Sequence, residues 1–100
     1  SPNVGAEIGK QRPAVIVSSD AVGALPLKVV VPVTDPTAKK QTWHAALTPS
    51  AQNGLKKESV ADCFQVKSIS KNRLIKRLGV LSEEEMANVK VALVLVMGLV

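Results

Sequence analysis

Apolar residues along the chain come in short runs separated by polar, turn-forming segments, and a helical period appears only near the C-terminus. Residues 1–10 hold Pro2, Gly5 and Gly9 and few apolar side chains, and read as a mobile loop. Residues 13–18 carry Val15, Ile16 and Val17 in a continuous β-branched run, the pattern of a strand covered on both faces. Residues 19–26, with Asp20, Gly23 and Pro26, form a turn-rich connection. Residues 27–34 predict a second strand; Pro32 has no amide hydrogen and belongs at an edge, a bulge or the strand's end. A polar loop over 35–41 leads to a third, shorter strand over 42–48, and Asn53-Gly54 marks a turn within 49–57. In 59–68, Val60, Phe64 and Val66 share a parity that Asp62 breaks, and the stretch predicts one strand. Residues 70–74 suit one helical turn and 75–80 another short strand.

Ser82 opens the clearest helix. Ser82 and Glu85 have the spacing of a capping box, and Glu83, Glu84 and Glu85 put negative charge at the positive end of the helix dipole. Met86, Val89, Leu93, Val96, Met97 and Val100 recur at steps of three and four as one apolar face, and Gly98 is expected to loosen the C-terminal end. The connections between strands are too short for helical crossovers, so the sheet should be mostly antiparallel. The pattern therefore predicts a mainly β protein closed by one C-terminal helix, built as a small, strongly curved, barrel-like sheet.

Composition narrows this picture. One hundred residues, 46% of them apolar, suggest one domain with a sizeable core. That core must be aliphatic, because Trp43 and Phe64 are the only aromatics, and this weakens any model in which bases stack on a row of rings. Thirteen Lys and Arg against eight Asp and Glu give a formal charge of +5, which fits either a polyanionic partner or a merely soluble basic surface. Cys63 is alone, so no internal disulfide forms, and a reducing, cytoplasmic location is expected. The apolar tail over 91–100 is too short to span a bilayer, and no membrane role is expected. No Cys/His cluster has metal-ligand spacing and no glycine motif cradles phosphates, so neither metal nor cofactor is expected.

The chemistry centres on Arg12, where the polar segment Gly9-Lys10-Gln11-Arg12 becomes a strand at Pro13. A guanidinium backed by a rigid sheet matches phosphate oxygens bidentately. The run from Gly5 through Arg12-Pro13 to Ser18 resembles the MazF/PemK family of toxin–antitoxin ribonucleases. So do Val29-Val30-Val31-Pro32-Val33-Thr34, the stretch from Ser59 through Gln65 to Ile69, and Leu81-Ser82-Glu83-Glu84-Glu85-Met86. These pieces keep the family's order over nearly the whole chain. The match begins after the family's usual first strand with its Gly-Asp pair, which is expected to be missing. Some PemK-like members carry an Arg-Cys-Asp triplet before the glutamine; here Asp62-Cys63-Phe64 stands there, so that version of the site is not carried over.

The resemblance implies an SH3-like barrel, a homodimer, and metal-independent cleavage of single-stranded RNA, with mRNA as substrate. It also implies a cognate antitoxin whose disordered acidic tail crosses the active site. The family's catalytic arginine maps to Arg12, its catalytic threonine to Thr34, and its RNA-contacting glutamine to Gln65. Lys10, Lys39 and Lys40 are the basic residues read as RNA contacts, with a solvated face as the alternative for the Lys39-Lys40 pair. Lys56-Lys57, Lys71, Arg73, Lys76 and Arg77 suit either a solvated face or a polyanion. Trp43 suits a core or dimer contact, with stacking on a base as the lesser alternative. The general base is open between Glu7, which otherwise reads as a solvated loop charge, and His44, which otherwise reads as a structural strand histidine. Two other readings stay open: a non-enzymatic gyrase-binding toxin like CcdB, and an inactive truncated toxin that only dimerises and binds antitoxin.

Overall fold

The computed structural model describes residues 3–7 and 12–99. Its strands are β1 (Asn3–Glu7), β2 (Pro13–Ile16), β3 (Leu27–Thr34), β4 (His44–Leu47), β5 (Ser59–Asp62), β6 (Lys67–Ser70) and β7 (Leu74–Val80). One helix, α1 (Glu83–Met97), ends the chain. All strand pairings are antiparallel, in the order β4-β5-β3-β2-β1-β7, with β6 added to β3.

β3 holds the sheet together by changing partners. Its first half pairs with β6 as far as Val30 and its end pairs with β5 from Val33, while Ala14 to Ile16 of β2 run along the other side. Pro32 falls in the gap between the β6 and β5 ladders, so its missing amide hydrogen costs no bond there. Strand alternation then fixes two faces. Val15, Val31, Val33, Ala45, Leu47, Ala61 and Cys63 point to one side and pack with Leu81, Val89 and Ala92 under the helix. Ala14, Val30 and Ile69 point to the other and gather Ile16 and Leu74. The core is aliphatic, as composition requires, and burying Leu47 alone contributes roughly 1.5–3 kcal/mol.

The sheet curves without closing. Between its end strands lies the 48–58 loop, and Val80 N donates to Gln52 O at 2.9 Å where a barrel would continue the ladder. The approach is close enough that a Cβ on Gly79 would overlap the backbone of Gln52 and Asn53, and one on Gly54 (φ 69°) would overlap the Leu78 carbonyl. Asn53 is fully buried and knots this loop: its Oδ1 accepts from Ser50 N and Leu55 N, and its Nδ2 donates to Thr48 O and Glu85 Oε2. Glu85 also completes the capping box with Ser82, so the helix start and the loop share one carboxylate.

Three expectations need correction. The part of residues 1–10 that is described, Asn3–Glu7, forms β1 rather than a loop, because β2 and β7 satisfy its backbone on both sides and Val4 enters the core. The predicted strand over 59–68 is broken in two. Cys63–Gln65 form a 3-10 turn capped by Asp62, whose Oδ1 accepts from Phe64 N at 3.2 Å, and the pairing resumes at Lys67. The break falls where Asp62 interrupted the alternation, and it leaves Phe64 66% exposed. Gly98 closes the helix instead of loosening it: at φ 64° its N–H reaches the carbonyls of Leu95 and Val94, and Leu99 N reaches Val94 O. On the helix, Met86, Val89, Leu93 and Val96 face the core with Ala92, Met97 is exposed, and Val100 lies outside the described residues.

Candidate active site

The register that builds the sheet also sets Arg12 and Thr34 side by side. Ala14 pairs with Pro32, so continuing two residues outward puts Arg12 across from Thr34 on the same face. Side chains in that relation leave adjacent strands about 5 Å apart. Thr34 in turn faces Val60 of β5. Arg12 and Thr34 both line a cleft of about 630 Å³, whose other walls are Pro13, Asp35, the 54–57 segment, Ser59, and Ile75, Lys76 and Leu78 of β7.

Four cations, Arg12, Lys56, Lys57 and Lys76, face one carboxylate, Asp35, in this cleft. Lys57 Nζ lies 2.7 Å from Asp35 Oδ1. The Asp35 carboxyl is held below its ordinary value, first by the hydrogen bond from Lys57 and then by the charges of Lys57 and Arg12, with desolvation opposing. The site can therefore bind an anion, present a guanidinium to it and offer a hydroxyl donor from Thr34. Asp35 and Ser59 were missed from the sequence. The readable signal was position alone, since Asp35 follows Thr34 and Ser59 precedes the residue that pairs with it.

The remaining candidates lie elsewhere. His44 opens β4, only 7% exposed, opposite Asp62. Its Nε2 stands 4.0 Å from Asp62 Oδ1, beyond hydrogen-bond reach, and its Nδ1 has no partner. Its ring meets Trp43 edge-on, and Trp43 meets Phe64 the same way. Gln65 sits on the 3-10 turn, not in a strand, and its Nε2 donates to Asp62 Oδ2 at 2.9 Å. Lys39 and Lys40 are exposed in the loop before β4 and do not line the cleft. Glu7 ends β1 opposite Leu74; its side chain and all of Lys10 lie outside the described residues. Among the described residues, no group of three or more His, Cys, Asp or Glu is arranged to hold a metal. No described helix is long and apolar enough to cross a membrane.

An open antiparallel sheet of seven strands, one C-terminal helix and a basic cleft beside Arg12 define the class of small toxin folds that the sequence resembled. Residues 1–97 match the model of the PemK-like, MazF-like toxins of type II toxin–antitoxin systems, and the chain belongs to that family. It is 35% identical to Endoribonuclease MazF9 of Mycobacterium tuberculosis over 98 residues, covering 92% of this chain and 82% of that protein. Its fold is similar to the Mycobacterium tuberculosis toxin MazF-mt6, with a TM-score of 0.82 at 24% identity over 98% of this chain and 97% of the other. A mycobacterial endoribonuclease solved in complex with its cognate antitoxin also shares the fold, with a TM-score of 0.80 at 23% identity, over 99% and 93% of the two chains.

Proposed function

We propose that the protein is the toxin of a toxin–antitoxin pair and cleaves single-stranded RNA, mRNA included, as a cytoplasmic homodimer. The single observation that carries this reading is the convergence of Arg12 and Thr34 on one basic cleft in a chain of this family. The 2′-hydroxyl of the RNA attacks the adjacent phosphorus, the bond to the 5′ oxygen breaks, and a 2′,3′-cyclic phosphate and a 5′-hydroxyl remain. Arg12 grips the phosphorane oxygens as negative charge builds, and Thr34 donates to the same group. Guanidinium stays protonated, so Arg12 cannot remove the 2′-proton at rest. Of the two candidate bases His44 is buried away from the cleft, which leaves Glu7, on the segment leading to Arg12.

The relative solved with its antitoxin supports a protein partner of the same kind here, and the cationic cleft suits an acidic antitoxin tail competing with RNA. The test is incubation of the protein with single-stranded RNA in chelator. Fragments with cyclic-phosphate ends are expected from the wild type and not from Arg12→Ala. Unchanged RNA from intact protein would end this reading. Toxicity that survives Arg12→Ala but not substitutions on α1 would replace it with a non-enzymatic binding toxin.

A further inference from the structure

The cleft mouth carries an ion pair that the fold does not need. Asp35 and Lys57 meet at 2.7 Å with both side chains 71% exposed, and a pair so open to water adds little to stability. Its placement is more telling. Asp35 follows Thr34 directly, and Lys57 ends the 54–57 segment that walls the same cleft as Arg12. The backbone under Lys57 is fixed, because Leu55 is buried with its N–H on Asn53 Oδ1, and Lys57 O accepts from Ser59 Oγ at 2.9 Å. A carboxylate thus occupies a spot favoured by the Lys57 ammonium, with the Arg12 charge adding to it. Phosphate oxygens are acceptors of the same kind, and an RNA strand laid over Arg12 and Thr34 brings further phosphates past this rim.

We infer that Lys57 is a second phosphate-binding residue, taking an RNA backbone phosphate next to the scissile one, and that Asp35 is its counter-ion in the free protein, displaced as RNA enters. This rests on the cleft being the RNA site. Lys57 then adds one phosphate contact to binding, and Asp35 competes with that contact while holding the ammonium in place between substrates.

The test uses the full chain and a single-stranded RNA carrying 2′-O-methyl at every position, which binds but cannot be cleaved, titrated across a salt series. Lys57→Gln is expected to weaken binding about three- to tenfold and to flatten the slope of log affinity against log salt by about 0.7, one phosphate contact on a single strand. Asp35→Asn is expected to tighten binding several-fold, and to lose that effect in the Lys57→Gln background. Lys57→Arg should restore both affinity and slope. An unchanged slope in Lys57→Gln, or weaker binding in Asp35→Asn, overturns the inference. Cleavage of unmodified RNA, run alongside, separates the two readings: cleavage with an unmoved Lys57→Gln slope removes only the role of Lys57, whereas no cleavage by the wild type removes the RNA site itself.

Discussion

Two neighbouring rows on one sheet face treat their polar side chains in opposite ways. The row through Arg12 and Thr34 opens into the cleft, where Asp35 and Lys57 pair with both side chains mostly exposed. The next row, Asp62 and His44, is two residues further along β5 and is buried. There Asp62 spends one oxygen on Phe64 N and the other on Gln65 Nε2 to hold a 3-10 turn. Residue type does not separate the cleft from the buried row, since each contains a carboxylate and a cationic or potentially cationic partner. Availability does. Groups that bind a passing anion must stay free of obligatory partners, whereas buried polar groups are consumed by the backbone around them.

The sharpest way to break this comparison is Arg12→Ala. It should lower RNA cleavage by on the order of 100- to 1,000-fold while moving stability by no more than about 0.5 kcal/mol. Urea unfolding beside a cleavage assay reads both. Asn53→Ala should do the reverse, costing about 2–4 kcal/mol in urea unfolding, because it strands Ser50 N, Leu55 N and Thr48 O and frees the loop under Lys57. Asp62→Ala removes two hydrogen bonds and should cost about 1–2 kcal/mol, with cleavage by the folded protein kept within about threefold. A 100-fold loss of rate from Asp62→Ala would put the buried row in the reaction.

Two smaller effects sharpen it further. The Cys63 thiol is buried, and desolvation followed by the Asp62 charge pushes it up from 9.0 to about 11. The folded state therefore holds its proton where the unfolded chain has lost it. That contribution is complete below pH 9 and is lost as pH rises toward 11. Cys63→Ala should make stability fall less steeply across that window, by up to about 2 kcal/mol at its upper end. Gln65→Ala, which removes one part-buried hydrogen bond, should cost about 1 kcal/mol. A rise in KM for RNA beyond about tenfold in that variant would show that Gln65 leaves Asp62 to touch the substrate.

The chain's own pattern settled the parts whose stabilisation is local. Ser82 and Glu85 spell a capping box and form one, β3 runs over the residues its β-branched pattern marks, and a chain with two aromatics packs an aliphatic core. Arg12 stood out as a guanidinium at a loop-to-strand junction, but most of its functional weight came from the family resemblance of the Arg12-Pro13 stretch. Pro32 announced an interruption of pairing without saying which partner would change.

What the tertiary structure decided depends on distance along the chain. No local signal tells Asn3–Glu7 that β2 and β7 will lie on either side of it, so a polar, glycine-bearing stretch becomes a strand. Parity suggested one strand over 59–68, yet an Asp62 carboxylate capping the next amide outweighed alternation and turned Phe64 outward. Lys57 and Asp35 stand more than twenty positions apart; Lys57 suited either a solvated face or a polyanion, and nothing joined it to Asp35 until β3 and β5 paired beside the knotted loop. Short-range hydrogen bonds and side-chain periods are written residue by residue, but which charges share a cleft is set only when distant strands choose their register.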